Sequence, residues 1–331
     1  MFSGALVGFG EVAEKAHVPA FASSKALRLV AVAEASPGRR ERAQRLLPEA
    51  LVFASLDELL AAKLPIHFVD IATPPHLHCE QSLASLRSAL HVLCEKPVAL
   101  RRSELDMLVS AASDKGRILF GMHNWKYAPI FCKLRELLAS DAVGAVRHVE
   151  WHVLRTQPAA VAVNTEGNWR TDLRKAGGGI LVDHGWHAVY LVASMIGQAA
   201  GASNGTLHFT GDTDDEATCL IEFPGATAVV HLTWRAAARG HWGAVYGASG
   251  RIEIGDDRLT VECPARPTDS ISFGDKLSQG SAHPEWLAGL LPDFAGAMNG
   301  GPQSEQAAEN AREVETCVAV IENIYRSKAP T

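Results

Sequence analysis

The 331-residue chain has no run of lysine or arginine longer than two, and its formal net charge is −6. No basic stripe interleaves with aromatics. Nucleic acid and anionic membrane surfaces are therefore excluded as expected partners. No apolar stretch approaches the roughly 20 residues of a membrane span. The opening MFSGALVGFG lacks the basic start and long apolar core of a signal peptide, so a cytoplasmic protein is expected. C-x-x-C is absent. The six cysteines (Cys79, Cys94, Cys132, Cys219, Cys263 and Cys317) are scattered and read as free thiols of a reducing compartment. Internal repeats and low-complexity tracts are lacking too. What remains is an ordinary globular composition, 47% hydrophobic and 21% charged, in a chain longer than one core usually organises. Two domains are expected, 1–121 and 122–331.

The first third alternates strand and helix. ALVGFG reads as a strand and a turn, 11–23 as a helix, and ALRLVAVAE as a strand ending at Glu34. Helices are expected over 37–47, 77–89 and 102–115, with strands in IHFVDIAT, LHVLCEKP and RILFGMH. This is the pattern of a doubly wound parallel sheet, apolar on both faces. After residue 122 the pattern changes. A helix over 129–139 precedes the alternating GAVRHVEWHVL, and a glycine cluster leads into a helix over 180–196. Strands then follow in meander order at 205–210, 216–223, 227–235, 242–248, 250–254 and 258–263, implying a large, mostly antiparallel sheet open on one face. The polar stretch 267–282 reads as a loop, and helices over 284–299 and 303–327 close the chain.

GFGEVA carries Gly8, Gly10 and Ala13 in a G-x-G-x-x-A spacing between a strand and a helix. Gly8 permits the turn, Gly10 lets a pyrophosphate approach the backbone, and Ala13 lets helix pack on strand. The rest of the turn, Phe9, Glu11 and Val12, is expected at the same nucleotide. Glu34 lies 21 residues past Ala13, where an acid accepts ribose hydroxyls. That favours NAD over NADP, although Arg39 and Arg40 stand near enough to pair with a 2′-phosphate. The competing reading of those arginines is a solvated helix face. Thr73 and Pro74 end another strand on the ligand-binding edge. His76, His78 and Cys79 follow, but two histidines two apart with no distant pair do not make a metal site, and none is expected.

LHVLCEKPVAL ends a dry strand in Glu95, Lys96 and Pro97. At the carboxyl edge of a doubly wound sheet those charges reach a ligand cleft instead of the core. Lys96 can donate to a substrate hydroxyl and a ribose hydroxyl, with Glu95 orienting it; the bland alternative is a surface ion pair. In GGGILVDHGWHAVY, Asp183, His187 and Tyr190 share one helix face at i, i+4 and i+7. Histidine beside a carboxylate suits general acid–base work, set against a satisfied core histidine. His184 points elsewhere.

Together GFGEVA, IATPPHLH, CEKPVAL, GMHNWKYAP, GNWR, GGGILVDHGWH and LLPDFAGAMNGG resemble the Gfo/Idh/MocA family, named after glucose–fructose oxidoreductase and inositol dehydrogenase. The resemblance spans nearly the whole chain. It implies a Rossmann domain followed by an α/β domain with an open sheet, substrate between them, and homodimers or homotetramers formed through that sheet. It implies Lys96, Asp183 and His187 as catalytic. Gly8, Gly10, Glu34, Thr73, Pro74, His78 and Glu95 fall on the nucleotide side, with Trp169 and Arg170 near the nicotinamide. Asn124, Lys126, His184 and Tyr190 join Lys96, Asp183 and His187 around a small polyhydroxylated substrate. Three residues depart from the common pattern: Lys126 replaces arginine, Tyr190 replaces aspartate, and His184 is an unusual neighbour for Asp183. The expected activity is an NAD- or NADP-dependent hydride transfer at a secondary alcohol or ketone of a sugar, inositol or related polyol. A redox-cycling glycosidase with tightly held NAD and a non-catalytic nucleotide sensor are the alternatives.

Overall fold

The computed structural model describes residues 1–159, 168–264, 266–280 and 282–327. The chain divides into two compact units. The first is built on Met1–Asn124. Its strands β1 (Phe2–Val7), β2 (Leu27–Ala33), β3 (Leu51–Phe53), β4 (Phe68–Ile71), β5 (His91–Cys94) and β6 (Leu119–Gly121) form one parallel sheet in the order β3-β2-β1-β4-β5-β6. The order reverses beside β1, which creates the crevice where doubly wound sheets bind ligands. Helices α1 (Val18–Ser23), α2 (Pro37–Leu46), α3 (Leu56–Ala61), α4 (His78–Arg87) and α5 (Arg102–Lys115) connect the strands. β4 and β5 are buried throughout, as a sheet covered on both faces demands.

Two details differ from the sequence reading. The expected helix over 11–23 is wound as a π-turn at Ala13–His17 before α1, which turns His17 into the interior. The short β3 and α3 carried too few residues to show a period.

The second unit starts at Trp125. Its helices are α6 (Pro129–Ala139), α7 (Leu173–Ala176), α8 (Ile180–Asp183) and α9 (Gly185–Ile196). Its sheet comprises β7 (Val146–Leu154), β8 (Ser203–Thr210), β9 (Thr213–Phe223), β10 (Ala226–Thr233), β11 (Gly240–Gly247), β12 (Arg251–Ile254), β13 (Arg258–Cys263) and β14 (Arg266–Ser272). The order is β14-β13-β12-β11-β7-β10-β9-β8. The meander expectation is corrected here: β7 inserts between β10 and β11 and runs parallel to β10. The loop expected over 267–282 is also corrected, because β14 pairs antiparallel with β13. As an edge strand with most residues exposed, it shows none of the apolar alternation that marks an inner strand. The expected single helix over 180–196 is interrupted at His184.

Two helices close the chain, α10 (Pro284–Gly300) and α11 (Glu305–Arg326). Ala282–Val314 returns to the first unit, where Phe294 of α10 meets the rings of Phe68 and Phe120 at 5.5 and 5.6 Å. From Glu315 onward, α11 belongs to the second unit.

The glycine cluster is a packing device. Asp214, fully buried on β9, accepts from the N–H groups of Gly179 (2.7 Å) and Leu181 (2.8 Å), satisfying the start of α8. A Cβ on Gly179 would lie 1.8 Å from the Asp214 carbonyl oxygen, and one on Gly178 would lie 2.3 Å from the Tyr325 hydroxyl. Gly10, by contrast, has nothing within 4 Å of a Cβ. Gly179→Ala should therefore cost ~1–3 kcal/mol or more in a urea unfolding experiment, whereas Gly10→Ala should stay within about 0.5 kcal/mol of wild type.

Candidate active site

In the first unit, β1 runs into Gly8 at φ +88°. A Cβ there would lie 2.8 Å from Thr73 Cγ2 and 2.9 Å from the Ala72 carbonyl, so the turn closes only on glycine. Ala13 and Phe9 pack in one core cluster with Leu6, Val32 and Ala72. Phe9 therefore offers only its backbone to the turn. Glu11, exposed, pairs with Lys15, and Val12 is half-buried. Glu34 is 7% exposed. Its Oε2 accepts from the Phe9 N–H (2.6 Å) and its Oε1 from the Ser36 N–H (2.8 Å). Those bonds hold the glycine turn against the end of β2 and leave the carboxylate acceptor capacity for a hydroxyl. Arg40 donates to the carbonyls of Glu34 (2.9 Å) and Ala35 (2.7 Å), while Arg39 is half-exposed. An open glycine turn, a helix start and a buried acid at its side fit a dinucleotide.

The loops after β4 and β5 are clasped by His78. Its Nδ1 meets the Pro97 carbonyl and its Nε2 the Thr73 carbonyl, both at 2.7 Å. Burial pushes its pKa down, against two carbonyls that both seek a donor. His78 is 1% exposed, so it shapes the loops from behind, while His76 points outward. Thr73 Oγ1 donates to Gln81 (2.6 Å), and Pro74 is half-buried beside it.

The charge pair at the end of β5 has an unexpected partner. Glu95 Oε1 faces His17 Nε2 at 3.0 Å, and His17 Nδ1 faces Asp70 Oδ2 at 2.7 Å. Both imidazole nitrogens point at carboxylates, so the ring is an imidazolium. Burial alone would lower its pKa, but Asp70 and Glu95 outweigh that and raise it to about 10. Burial pushes Glu95 up, yet the bond from His17 and the nearby Lys96 charge leave it lowered. Asp70, in the middle of an apolar strand and with Oδ1 unsatisfied, is pushed up by burial. Glu95 Oε2 also accepts from the Lys96 backbone N–H (3.1 Å). It orients the lysine through its main chain, and Lys96 itself is half-buried. The sequence reading did not single out His17 or Asp70. The available signal was an aspartate inside FVDIA, a position that must find a partner.

In the second unit, Asp183, His184 and His187 are half-buried and Tyr190 is fully buried. His187 Nδ1 lies 2.9 Å from the Tyr190 hydroxyl, which accepts from the Trp125 N–H at 3.1 Å. The Trp125 ring stacks on His187 at 5.2 Å and tilts over buried His241 at 5.0 Å. Tyr190 thus stands behind His187 as a neutral support, and the sequence reading passed over Trp125 and His241. Asp183 Oδ2 is 3.8 Å from both Arg170 Nε and His184 Nε2. The Arg170 guanidinium lies 4.4 Å over the Trp169 ring; Gly167 of the GNWR motif falls outside the described residues. Lys126 is 5% exposed, and its carbonyl accepts from Arg135 (3.1 Å). Asn124, half-buried, ends the first unit.

A parallel sheet with a dinucleotide-type turn, followed by a largely antiparallel sheet with a histidine–carboxylate helix, defines a nucleotide-dependent oxidoreductase class. Residues 2–123 match the model of the oxidoreductase family with an NAD-binding Rossmann fold, and residues 131–253 match the Gfo/Idh/MocA C-terminal domain. The chain belongs to the Gfo/Idh/MocA family of oxidoreductases, and its first domain is an NAD-binding Rossmann fold. Levoglucosan dehydrogenase of Pseudarthrobacter phenanthrenivorans is 27% identical over 258 residues, 69% of this chain and 65% of that one. D-Glucoside 3-dehydrogenase of Escherichia coli is 26% identical over 193 residues, 58% of this chain and 53% of that one. The chain spans about half to two thirds of the length of the curated relatives it matches, 62%, 52% and 65% in three of them. A solved levoglucosan dehydrogenase complex with NADH and levoglucosan shares the fold with a TM-score of 0.83. It is 24% identical, covering 99% of this chain and 98% of that one.

The His17 proton links the first unit to pH. Its stabilising contribution is full below the unfolded value of 6.5 and is lost as pH rises through about 10. Between about pH 7 and 10 the unfolding free energy should fall, by at most ~1.4 kcal/mol per pH unit for one proton. Urea unfolding across that range should show the slope, and His17→Gln should flatten it.

Proposed function

We propose that this protein is a dehydrogenase acting on a secondary alcohol of a sugar, inositol or related polyol. The observation that carries the reading is His187 with its Nδ1 held by buried Tyr190 and its ring stacked on Trp125. An imidazole so fixed exchanges a proton through Nε2, as a general base requires. Bound NAD supplies the two-electron acceptor. The turn from Gly8 to Ala13 would hold its pyrophosphate, Glu34 a ribose, and Thr73, Pro74, Trp169 and Arg170 its remaining surface. Lys96, its main chain set by Glu95, donates to the reacting hydroxyl and favours the charge that develops there. Asp183 orients the hydroxyls while His187 takes the proton. Relatives named for levoglucosan and D-glucoside support a sugar-like substrate. The six cysteines, all free, support a reducing, cytoplasmic setting.

Lys96→Met should lower kcat by about 10²–10⁴-fold, with NAD affinity changing far less. His187→Asn should do the same and flatten the pH–rate profile. Steady-state kinetics on an accepted polyol, beside NAD titration by fluorescence, separates the effects. Full activity in Lys96→Met would reduce the strand-end charges to a structural role.

We also infer a homodimer, with a homotetramer as its extension, formed through the outer face of the eight-stranded sheet. Leu220 and Trp242 are 45% and 46% exposed there, and Trp242 lies stacked on His152 at 3.6 Å. Large apolar side chains exposed on a sheet face otherwise lined by polar residues such as Thr218, His231 and Glu150 suit the two-fold interface of a homo-oligomer. Light scattering at micromolar protein should give at least twice the 35.4 kDa chain mass, and Leu220→Asp with Trp242→Asp should shift it to monomer.

A further inference from the structure

Just past the end of β7 the chain places Arg155, which is 7% exposed. Val149, Trp151 and Val153 are buried on alternate positions of β7, and Arg155 continues that inner row. β10 and β11 flank it. Leu154 pairs with Thr233 and with Gly240, so Trp234 and Arg239 stand next to Arg155 on the neighbouring strand ends. The backbone confirms the register: the Arg155 N–H donates to the Thr233 carbonyl at 2.8 Å.

These side chains hold more donors than the described residues accept. Nε and Nη1 of Arg155 are buried without a hydrogen-bond partner, and so is Nε1 of Trp234, itself 5% exposed. Arg239, exposed, spends Nη2 on the Gly280 carbonyl (3.0 Å). Asp256 is engaged by the N–H (2.8 Å) and hydroxyl (2.6 Å) of Ser278. Asp183 is 3.8 Å from Arg170 and from His184. Burial and the like charge of Arg239 push the Arg155 guanidinium down to about 10, and Asp183 and Asp256 pull only partly against them. A buried guanidinium beside a second arginine, with its fork unsatisfied, is costly to maintain unless an anion occupies it.

We propose that Arg155, with Arg239 and the Trp234 indole N–H, binds an oxyanion carried by the substrate, a carboxylate or a phosphate, so that the polyol oxidised is an acidic one. A guanidinium fork matches two oxygens of either group. The Asp183 carboxylate opposes the shift at Arg155, and in this reading the same small molecule presents its hydroxyls to Asp183 and its anion to Arg155. This inference rests on the dehydrogenase reading for the word substrate, but the anion site stands on its own donors.

The test titrates D-gluconate, D-glucuronate, D-glucose 6-phosphate and D-glucose into the NAD-loaded protein. Intrinsic tryptophan fluorescence and NADH formation are followed together. At least one acidic compound should bind about tenfold or more tightly than D-glucose, ~1.4 kcal/mol. The two carboxylates against the phosphate identify which oxyanion the site takes. Arg155→Met should remove that preference, Arg155→Lys should restore part of it, and unliganded Arg155→Met should melt no lower than wild type, which a purely structural arginine would not allow. Arg239→Gln alters an exposed side chain and carries the test if Arg155→Met does not fold; it should weaken the acidic ligand several-fold. Acid binding that depends on Arg155, with no NADH from any compound, upholds the oxyanion site and overturns the dehydrogenase reading. Binding of D-glucose as tight as the acids, binding of none of the acids, or acid binding unchanged in both arginine variants overturns the proposal.

Discussion

The imidazolium of His17, held between Asp70 and Glu95, is the constraint on which the nucleotide-binding unit depends. Three segments that are distant in sequence meet there: the π-turn after the glycine loop, the middle of β4, and the end of β5. Removing one member would leave a buried charge uncompensated, which typically costs about 3–5 kcal/mol. The chain also explains why a dry strand can end in charges. Glu95 is anchored by an internal cation at His17, and the neighbouring Lys96 charge adds to what holds it ionised.

Asp214 plays the corresponding part in the second unit. It receives the first N–H groups of α8 and the Tyr325 hydroxyl, and its backbone occupies the space a side chain at Gly179 would need. α8 therefore starts at a defined height over β9, and the break at His184 re-aims α9. Asp183 ends one segment while His187 and Tyr190 lie on the next. Where an aspartate would place a charge behind the histidine, Tyr190 places a neutral hydroxyl tied to the backbone at Trp125.

Family membership settles the fold and the redox class, because glycine turns and strand order tolerate wide sequence change. It says less about the substrate. The curated relatives named for a sugar substrate share only 26% or 27% of aligned residues with this chain.

Legible in the chain alone were the strand–helix alternation of the first unit and the glycine turn with Glu34 at the end of β2, whereas the single helix expected to carry Asp183, His187 and Tyr190 is broken at His184. The first two are local patterns, each with its own period or spacing. Tertiary structure decided the rest. β7 enters the sheet between two later strands because parallel pairing with β10 leaves no trace in chain order. β14 could not be recognised because an edge strand exposed to water needs no apolar period. Residues 282–314 return to the first unit because an apolar helix face does not say which core will cover it. His17 and Asp70 find each other across 53 positions, and Arg155 gains its significance only from what stands on the strands beside it. Burial and pairing are properties of neighbours, and a one-dimensional chain does not specify its neighbours until it has folded.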